Sequence, residues 1–297
     1  MARQWGPLQM KDTGRLPLVA KLTKAQVRQE GRHVSNVIFI PARYKSTRFP
    51  GKPLQPLTGA TGETRTLIER SWRAAKAVDV IDEVYVLTDD DRIADAASSF
   101  GANVLMTPES CRNGTERCAS AVDLMDTPPD IVVNLQGDAP LTPAHYVSAL
   151  IEAMKADLSI AMATPVLRTS AEHLEKLRAD RLARRVGGTT AVFAKSMDAL
   201  YFSKEVLPFY DNAPDDAVPV FHHVGCYAYR PDALRDYAAW PEGRLERREG
   251  LEQLRFLENG VPVRCVEVEA RGRSFWELNN PSDVELIEDI MAKEGIA

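Results

Sequence analysis

The chain has 297 residues and carries 37 Lys and Arg against 42 Asp and Glu, a formal net charge of −5; this excludes the generally basic face that nucleic acids or anionic membranes require, so local basic clusters imply local anions. Its four cysteines, Cys111, Cys118, Cys226 and Cys265, are scattered and include no Cys-x-x-Cys pair, which argues against a disulfide framework or a zinc knuckle. The longest apolar run near the N-terminus, "LPLVA", is too short for a secretory signal or a bilayer span, so a cytoplasmic protein with neither nucleic-acid nor membrane partners is expected.

Residues 1–35 are mixed in charge, with a possible short helix around "LTKAQVRQE", and are expected to form an extension outside the fold. From Asn36 onward short apolar runs alternate with helical patterns. The runs "NVIFI" (36–40), "EVYVLT" (83–88), "ANVLM" (102–106), "DIVVNLQ" (130–136) and "LSIAMATPV" (158–166) are near-continuous, as strands covered on both faces must be. Between them "TLIERSWRAAKAV" places Ile68, Trp72 and Ala75 on one helical stripe, and "DDDRIADAASSFG" runs from an acidic cap to a glycine stop. Such alternation predicts right-handed βαβ units with a ligand site at the carboxyl ends of the strands. The expected fold is therefore α/β, a Rossmann-like, mostly parallel sheet spanning 36–297. A small inserted mixed-sheet lobe is expected near 195–245, where aromatics, turn formers and β-branched residues mix.

"IPARYKSTRFPGKPL" (40–54) follows the first strand at once and brings Arg43, Lys45, Arg48 and Lys52 to the mouth of the expected site. Backbone N–H groups in an irregular loop can wrap phosphate oxygens, Arg offers a planar fork and Lys a mobile point charge. A solvated charged loop is the alternative; neither the P-loop nor the dinucleotide glycine pattern is present. Downstream, "VVNLQGDAP" ends a buried strand with Gln136, Gly137 and Asp138, and a carboxylate there can hold Mg²⁺ against triphosphate oxygens or simply make a turn. "NGTER" opens a helical pattern in which Gly114 and Thr115 offer hydrogen bonds and Arg117 can face the mouth, or in which the residues merely cap the helix. "LERREGLEQLRFLENG" reads as one helix with Leu251, Leu254 and Leu257 or Glu258 turned to the core and Asn259-Gly260 as its stop.

The loop closely resembles the signature R-x-x-S-x-R-[LF]-P-x-K of sugar-activating cytidylyltransferases, and in particular the "PARxxSTRLPGKPL" of the 3-deoxy-manno-octulosonate (Kdo) cytidylyltransferases. "TDDDRIADAASSFGANVLMT", "CRNGTERCA", "DIVVNLQGDAPLTP", "DALYFSKEVLPF", "HHVGCYAYRPDALRDY" and "LEQLRFLENG" resemble the same family in order, from about residue 36 to 290. The resemblance implies transfer of CMP from CTP to a Kdo-like sugar acid, Mg²⁺ as cofactor and a homodimer. It implies CTP contacts from Pro41, Ala42, Arg43, Ser46, Arg48, Lys52, Asn113, Gly114, Thr115, Arg117 and Gln136, with Arg43, Lys52 and Asp138 carrying the catalytic load. Sugar contacts would come from Arg48, Gln136, Lys204, His223, Tyr227, Glu252 and Gln253, although His223 beside apolar residues can equally be a structural histidine. The family's second metal-holding Asp aligns with Asn279 in "FWELNNPSDVELIE", so the metal set is read as Asp138, Asn279 and Glu277. Together with Ala139 in "GDAP" and Lys204 for the family's Arg, this leaves three products open: CMP-Kdo, a modified or nine-carbon relative, or none, in a CTP-binding protein without catalysis.

Overall fold

The computed structural model describes residues 35–46, 49–185, 188–209 and 218–297. The expected extension lies outside these residues except for Ser35, and so does the possible helix at "LTKAQVRQE". The chain runs β1 (Asn36–Pro41), a hairpin of β2 (Pro56–Thr58) and β3 (Thr64–Thr66), α1 (Leu67–Lys76), β4 (Glu83–Thr88), α2 (Asp91–Ser99), β5 (Asn103–Met106), α3 (Gly114–Val122), β6 (Ile131–Leu135), α4 (Ala144–Ala156) and β7 (Met162–Arg168). It continues through α5 (Ala171–Leu182), β8 (Thr189–Phe193), β9 (Ala199–Ser203), β10 (Phe221–His223), β11 (Cys226–Tyr229), α6 (Pro231–Ala239), α7 (Arg244–Glu249), α8 (Leu254–Glu258), β12 (Val263–Val268) and α9 (Asp283–Glu294).

The main sheet has the order β5-β4-β1-β6-β11-β7-β10-β8-β9, with β12 paired to β7. Its first block is parallel: β1 lies between β4 and β6 in register, so Pro41, Leu87 and the end of β6 arrive at one edge together. β1 and β6 at the centre of this block are mostly apolar and buried nearly throughout because both faces are covered. On one face Ile38, Ile40, Val133 and Leu135 pack against α1, α2 and α4. On the other Val37, Phe39, Val132 and Tyr229 meet α3, α6 and α8. Each fully buried side chain of this kind stabilises the fold by roughly 1.5–3 kcal/mol.

The mixed strands expected in the second half are present, and they extend the main sheet by antiparallel pairing of β8, β9, β10 and β11. The separate small sheet is the upstream hairpin β2–β3. Between β10 and β11 the chain crosses Pro165 of β7, a residue with no N–H to offer, and only its carbonyl is used, accepting from the Val224 N–H at 3.1 Å.

Two expectations need correction. The strand read at 158–166 begins at Met162, because Asp157 accepts from the Ser159 N–H (2.9 Å) and hydroxyl (2.5 Å) and makes a turn of the preceding residues. The single helix read over "LERREGLEQLRFLENG" is two short helices, α7 and α8. They part at Gly250, whose left-handed backbone (φ 64°) ends α7 and frees 251–253 to turn inward.

Candidate functional site

The basic loop starts where β1 ends, and the Ala42 N–H donates to the Leu87 carbonyl (2.8 Å), tying its first residue to β4. Tyr44 folds the loop back: its carbonyl accepts from the Gly51 N–H at 2.9 Å, and the Arg92 guanidinium lies 3.3 Å above its ring. Gly51 (φ 72°) then turns the chain into one 3-10 turn headed by Lys52, whose ammonium donates to Asp138 Oδ2 at 2.5 Å. Arg43 is exposed and reaches the Arg112 carbonyl at 3.5 Å. Ser46 is half-buried and accepts from the Phe49 N–H at 3.4 Å. Lys45 is turned away, paired on the surface with Glu109. Arg48 lies outside the described residues.

Gly137 lets the two strand ends touch, since a Cβ there would stand 2.7 Å from the Pro41 carbonyl oxygen. Its own carbonyl accepts from the Ser71 hydroxyl at 3.0 Å. A Cβ on Gly114 would meet both Gln136 Nε2 and Pro41 Cγ at 3.2 Å, so the loop start, the end of β6 and the first turn of α3 converge. Pro41, Ala42, Lys52, Gly114, Gln136 and Asp138 are thus brought together. Sequence reasoning missed Asn134, fully buried in β6, whose Oδ1 accepts from Gln136 Nε2 at 3.3 Å. The one polar side chain inside "IVVNL" was the available signal.

At α3, Asn113 is the N-cap: its Oδ1 accepts from the Glu116 N–H (2.8 Å), and its Nδ2 donates to the Tyr237 hydroxyl (2.9 Å). Thr115 donates both its N–H (3.0 Å) and its hydroxyl (2.6 Å) to Glu252 Oε2, and its Oγ1 also lies 3.2 Å from the Tyr229 hydroxyl. Burial pushes the Glu252 carboxyl above the ordinary range, against the pull of the Thr115 hydrogen bonds. Arg117 does not stand open to the mouth as expected: it is buried, with Nη2 3.1 Å from Asp89 and Nη1 donating to the Thr107 hydroxyl. Beneath this turn the fully buried Arg255 forks onto Glu246, Nε to Oε2 at 2.6 Å and Nη2 to Oε1 at 2.7 Å, while the Tyr237 hydroxyl donates to the same carboxylate at 3.0 Å.

Asp138 also meets the segment before α9. The Leu278 N–H donates to the Asp138 backbone carbonyl at 2.8 Å, which sets Glu277 and Asn279 alongside. Asn279 Nδ2 donates to Glu277 Oε2 at 3.3 Å, and the Asn279 N–H is held by Asp283 at 2.9 Å. Glu277 also lies against Gly225, where a Cβ would fall 2.8 Å from its Oε1. Two carboxylates and an amide oxygen are hard donors of the type Mg²⁺ takes, and the Lys52 ammonium already seated on Asp138 shows that a cation fits that oxygen. Among the described residues no group of three or more His, Cys, Asp or Glu could hold a metal, so an ion here would complete its shell from substrate and water.

On the remaining side Tyr227 stands opposite Asn134 in the sheet and donates its hydroxyl to Gln253 Oε1 at 3.3 Å. Burial first, and then Glu252 and Glu277, push the Tyr227 hydroxyl well above its usual range. Gln253 is 1% exposed, and its Nε2 finds no partner among the described residues, an unusual state for a buried donor. His223 is part of the core: Nε2 lies 2.9 Å from the Thr164 hydroxyl, the ring packs edge-on to Phe202, and burial lowers its pKa to about 3. Lys204 sits beside the break between α7 and α8, with its N–H on Glu249 (3.0 Å) and its Nζ 3.0 Å from where a Cβ on Gly250 would be. A cavity of about 220 Å³ lies here, bordered by Asn113, Gly250 and Glu252. A larger one of about 590 Å³, between Arg73, Pro143 and Arg273, borders none of the residues above.

The Cytidylyltransferase family model matches residues 37–268. A 3-deoxy-manno-octulosonate cytidylyltransferase of Maricaulis maris is 47% identical over 262 residues, covering 88% of this chain and 99% of that protein. The protein of the same name from Escherichia coli is 35% identical over 258 residues, 87% of this chain and 96% of its own length. Among solved structures, a CMP:2-keto-3-deoxy-manno-octonic acid synthetase complexed with CTP superposes with a TM-score of 0.75 at 33% identity, covering 88% of this chain and 99% of that one.

Proposed function

The chain belongs to the cytidylyltransferase family, among the 3-deoxy-manno-octulosonate cytidylyltransferases, and on that premise we propose that it transfers CMP from CTP to the anomeric hydroxyl of Kdo. In this reaction the hydroxyl oxygen forms a bond to the α-phosphorus, the bond from that phosphorus to the bridging oxygen breaks, pyrophosphate departs and the hydroxyl proton passes to solvent. Such a displacement asks mainly for in-line placement and charge neutralisation. The observation that carries the reading is the convergence of Lys52, Gln136 and Asp138 at the ends of two parallel strands, beside the first turn of α3.

Arg43 and Lys52 are suited to neutralise the leaving pyrophosphate, with Arg48 expected to join them. Asp138, Glu277 and Asn279 would hold Mg²⁺, which when bound withdraws charge from phosphate oxygens and acidifies a nearby hydroxyl. Asn113, Gly114 and Thr115 form the base-recognition turn, with the Glu252 carboxylate held on Thr115, and Gln136, Tyr227 and Gln253 form the sugar side. Asn279 in place of a carboxylate and Lys204 in place of Arg support a second reading of the pocket, a Kdo modified at position 8 or a nine-carbon acid, since Lys lacks the fork that grips a carboxylate. CTP and Mg²⁺ incubated with Kdo, an 8-substituted Kdo and a nine-carbon acid, followed by pyrophosphate release, separate these readings. Turnover greatest with Kdo is expected; turnover with none would leave a nucleotide-binding protein.

No helix among the described residues is long and apolar enough to cross a membrane. The exposed Leu200 (62%) on the edge strand β9 and Phe209 (90%) beyond it support a homodimer that covers this edge. Light scattering on the eluting protein checks that state.

A further inference from the structure

Glu252 comes from the turn that also carries Gln253, yet its carboxylate ends on the other substrate's side. Both hydrogen bonds from Thr115 fall on Oε2, at 3.0 and 2.6 Å, so a residue 137 positions away supplies the anion at the N-terminus of α3. The same stretch of chain reaches that helix a second time, through Glu246 and the Tyr237 hydroxyl to the side chain of Asn113. Glu252 also borders the 220 Å³ cavity together with Asn113 and Gly250. Its neighbour Gln253 has no partner among the described residues for its buried Nε2. One turn therefore presents an unsatisfied amide to the sugar side and an anchoring carboxylate to the nucleotide side.

Resting on the function proposed above, we infer that Glu252 is a positioning residue that couples the two substrate sites, fixing the first turn of α3 for CTP in a way that the occupant of the sugar side can bias. Without the carboxylate, the Thr115 N–H loses its acceptor and the hydroxyl is left with the Tyr229 hydroxyl alone, so the turn loses the group that sets its orientation. Because coupling between two ligands is reciprocal, CTP must then change the affinity for the sugar acid by the same factor as the sugar acid changes that for CTP.

The test is calorimetric titration of folded protein with CTP, with and without Kdo, in wild type, Glu252→Ala, Glu252→Gln, Thr115→Val and the double variant Glu252→Ala/Thr115→Val. The inference expects Glu252→Ala to weaken CTP binding about tenfold in the absence of Kdo. It expects Glu252→Gln, whose amide oxygen can still accept from Thr115, to recover most of that loss, and the double variant to lose less than the sum of the two single losses, because the hydroxyl bond is shared while the Thr115 N–H bond is lost only with Glu252. The coupling factor between CTP and Kdo should fall towards one in the alanine variant. Unchanged CTP affinity in Glu252→Ala, or additive losses in the double variant, would overturn the inference. Should Glu252→Ala fail to fold, Thr115→Val decides it by its coupling factor, wild-type coupling in that variant being the adverse result. Wild-type protein that binds no CTP would instead overturn the functional reading on which the inference rests.

Discussion

The basic loop and the turn at the start of α3 sit side by side at one sheet edge and are built in opposite ways. In the loop Arg43 and Lys45 stand at the surface, and Arg43 reaches the Arg112 carbonyl at the long distance of 3.5 Å. Lys52 keeps one ion pair, which an incoming ligand can exchange. In the turn, Asn113, Thr115, Tyr237, Glu246, Glu252 and Arg255 hold one another through buried hydrogen bonds. The difference fits the two tasks. A leaving pyrophosphate needs charge that can follow it, whereas recognition of a planar base needs donors whose direction is set before binding.

The largest effect should come from breaking the buried network. Arg255→Met leaves Glu246 buried without its fork and should destabilise the fold by about 3–5 kcal/mol in urea unfolding. A loss below about 1 kcal/mol would mean the pair behaves like a surface ion pair and the contrast drawn above is wrong. In the loop the effect should be on chemistry alone: Lys52→Ala is expected to lower kcat by roughly 10²–10³ while the unfolding midpoint stays near that of wild type. Near-normal turnover in that variant would remove Lys52 from its role.

A third probe is acid. Burial holds His223 neutral with a pKa of about 3, against 6.5 when exposed, so the unfolded chain binds its proton first as pH falls. The stability it contributes is present above pH 6.5 and is lost as pH drops towards about 3, amounting to about 2 kcal/mol near pH 5. His223→Gln should flatten that part of the stability-against-pH curve, and an unchanged slope would show that other groups set it. The smallest effect is expected at Gly250, where alanine in the left-handed conformation should cost about 1 kcal/mol and displace the Lys204 ammonium. Crystallographic or melting data showing no change there would mean the break between α7 and α8 tolerates a side chain.

These contrasts also mark what could be read from the chain alone. "NVIFI" and "EVYVLT" announce buried parallel strands because a nearly continuous apolar run has few other uses, and the loop after "NVIFI" lies where such sheets place their ligands. Local chemistry was enough there. The helix read over 245–258 was misjudged because its apolar spacing continues through Gly250, and only the left-handed backbone at that glycine breaks it. The Thr115–Glu252 contact spans 137 residues, and no periodicity in either segment points to the other. Arg117 was expected at the mouth because a helix opening with "NGTER" could present it there; its true partner, Asp89, belongs to a different strand end. In each of these cases tertiary contact, rather than local preference, made the choice.

Lys52→Ala titrated with CTP and with CMP tests the division of labour most directly, since CMP lacks the phosphates the loop is proposed to hold but keeps the base. The account predicts CTP affinity reduced about tenfold or more and CMP affinity unchanged. Equal losses for both nucleotides, or none for either, would contradict it.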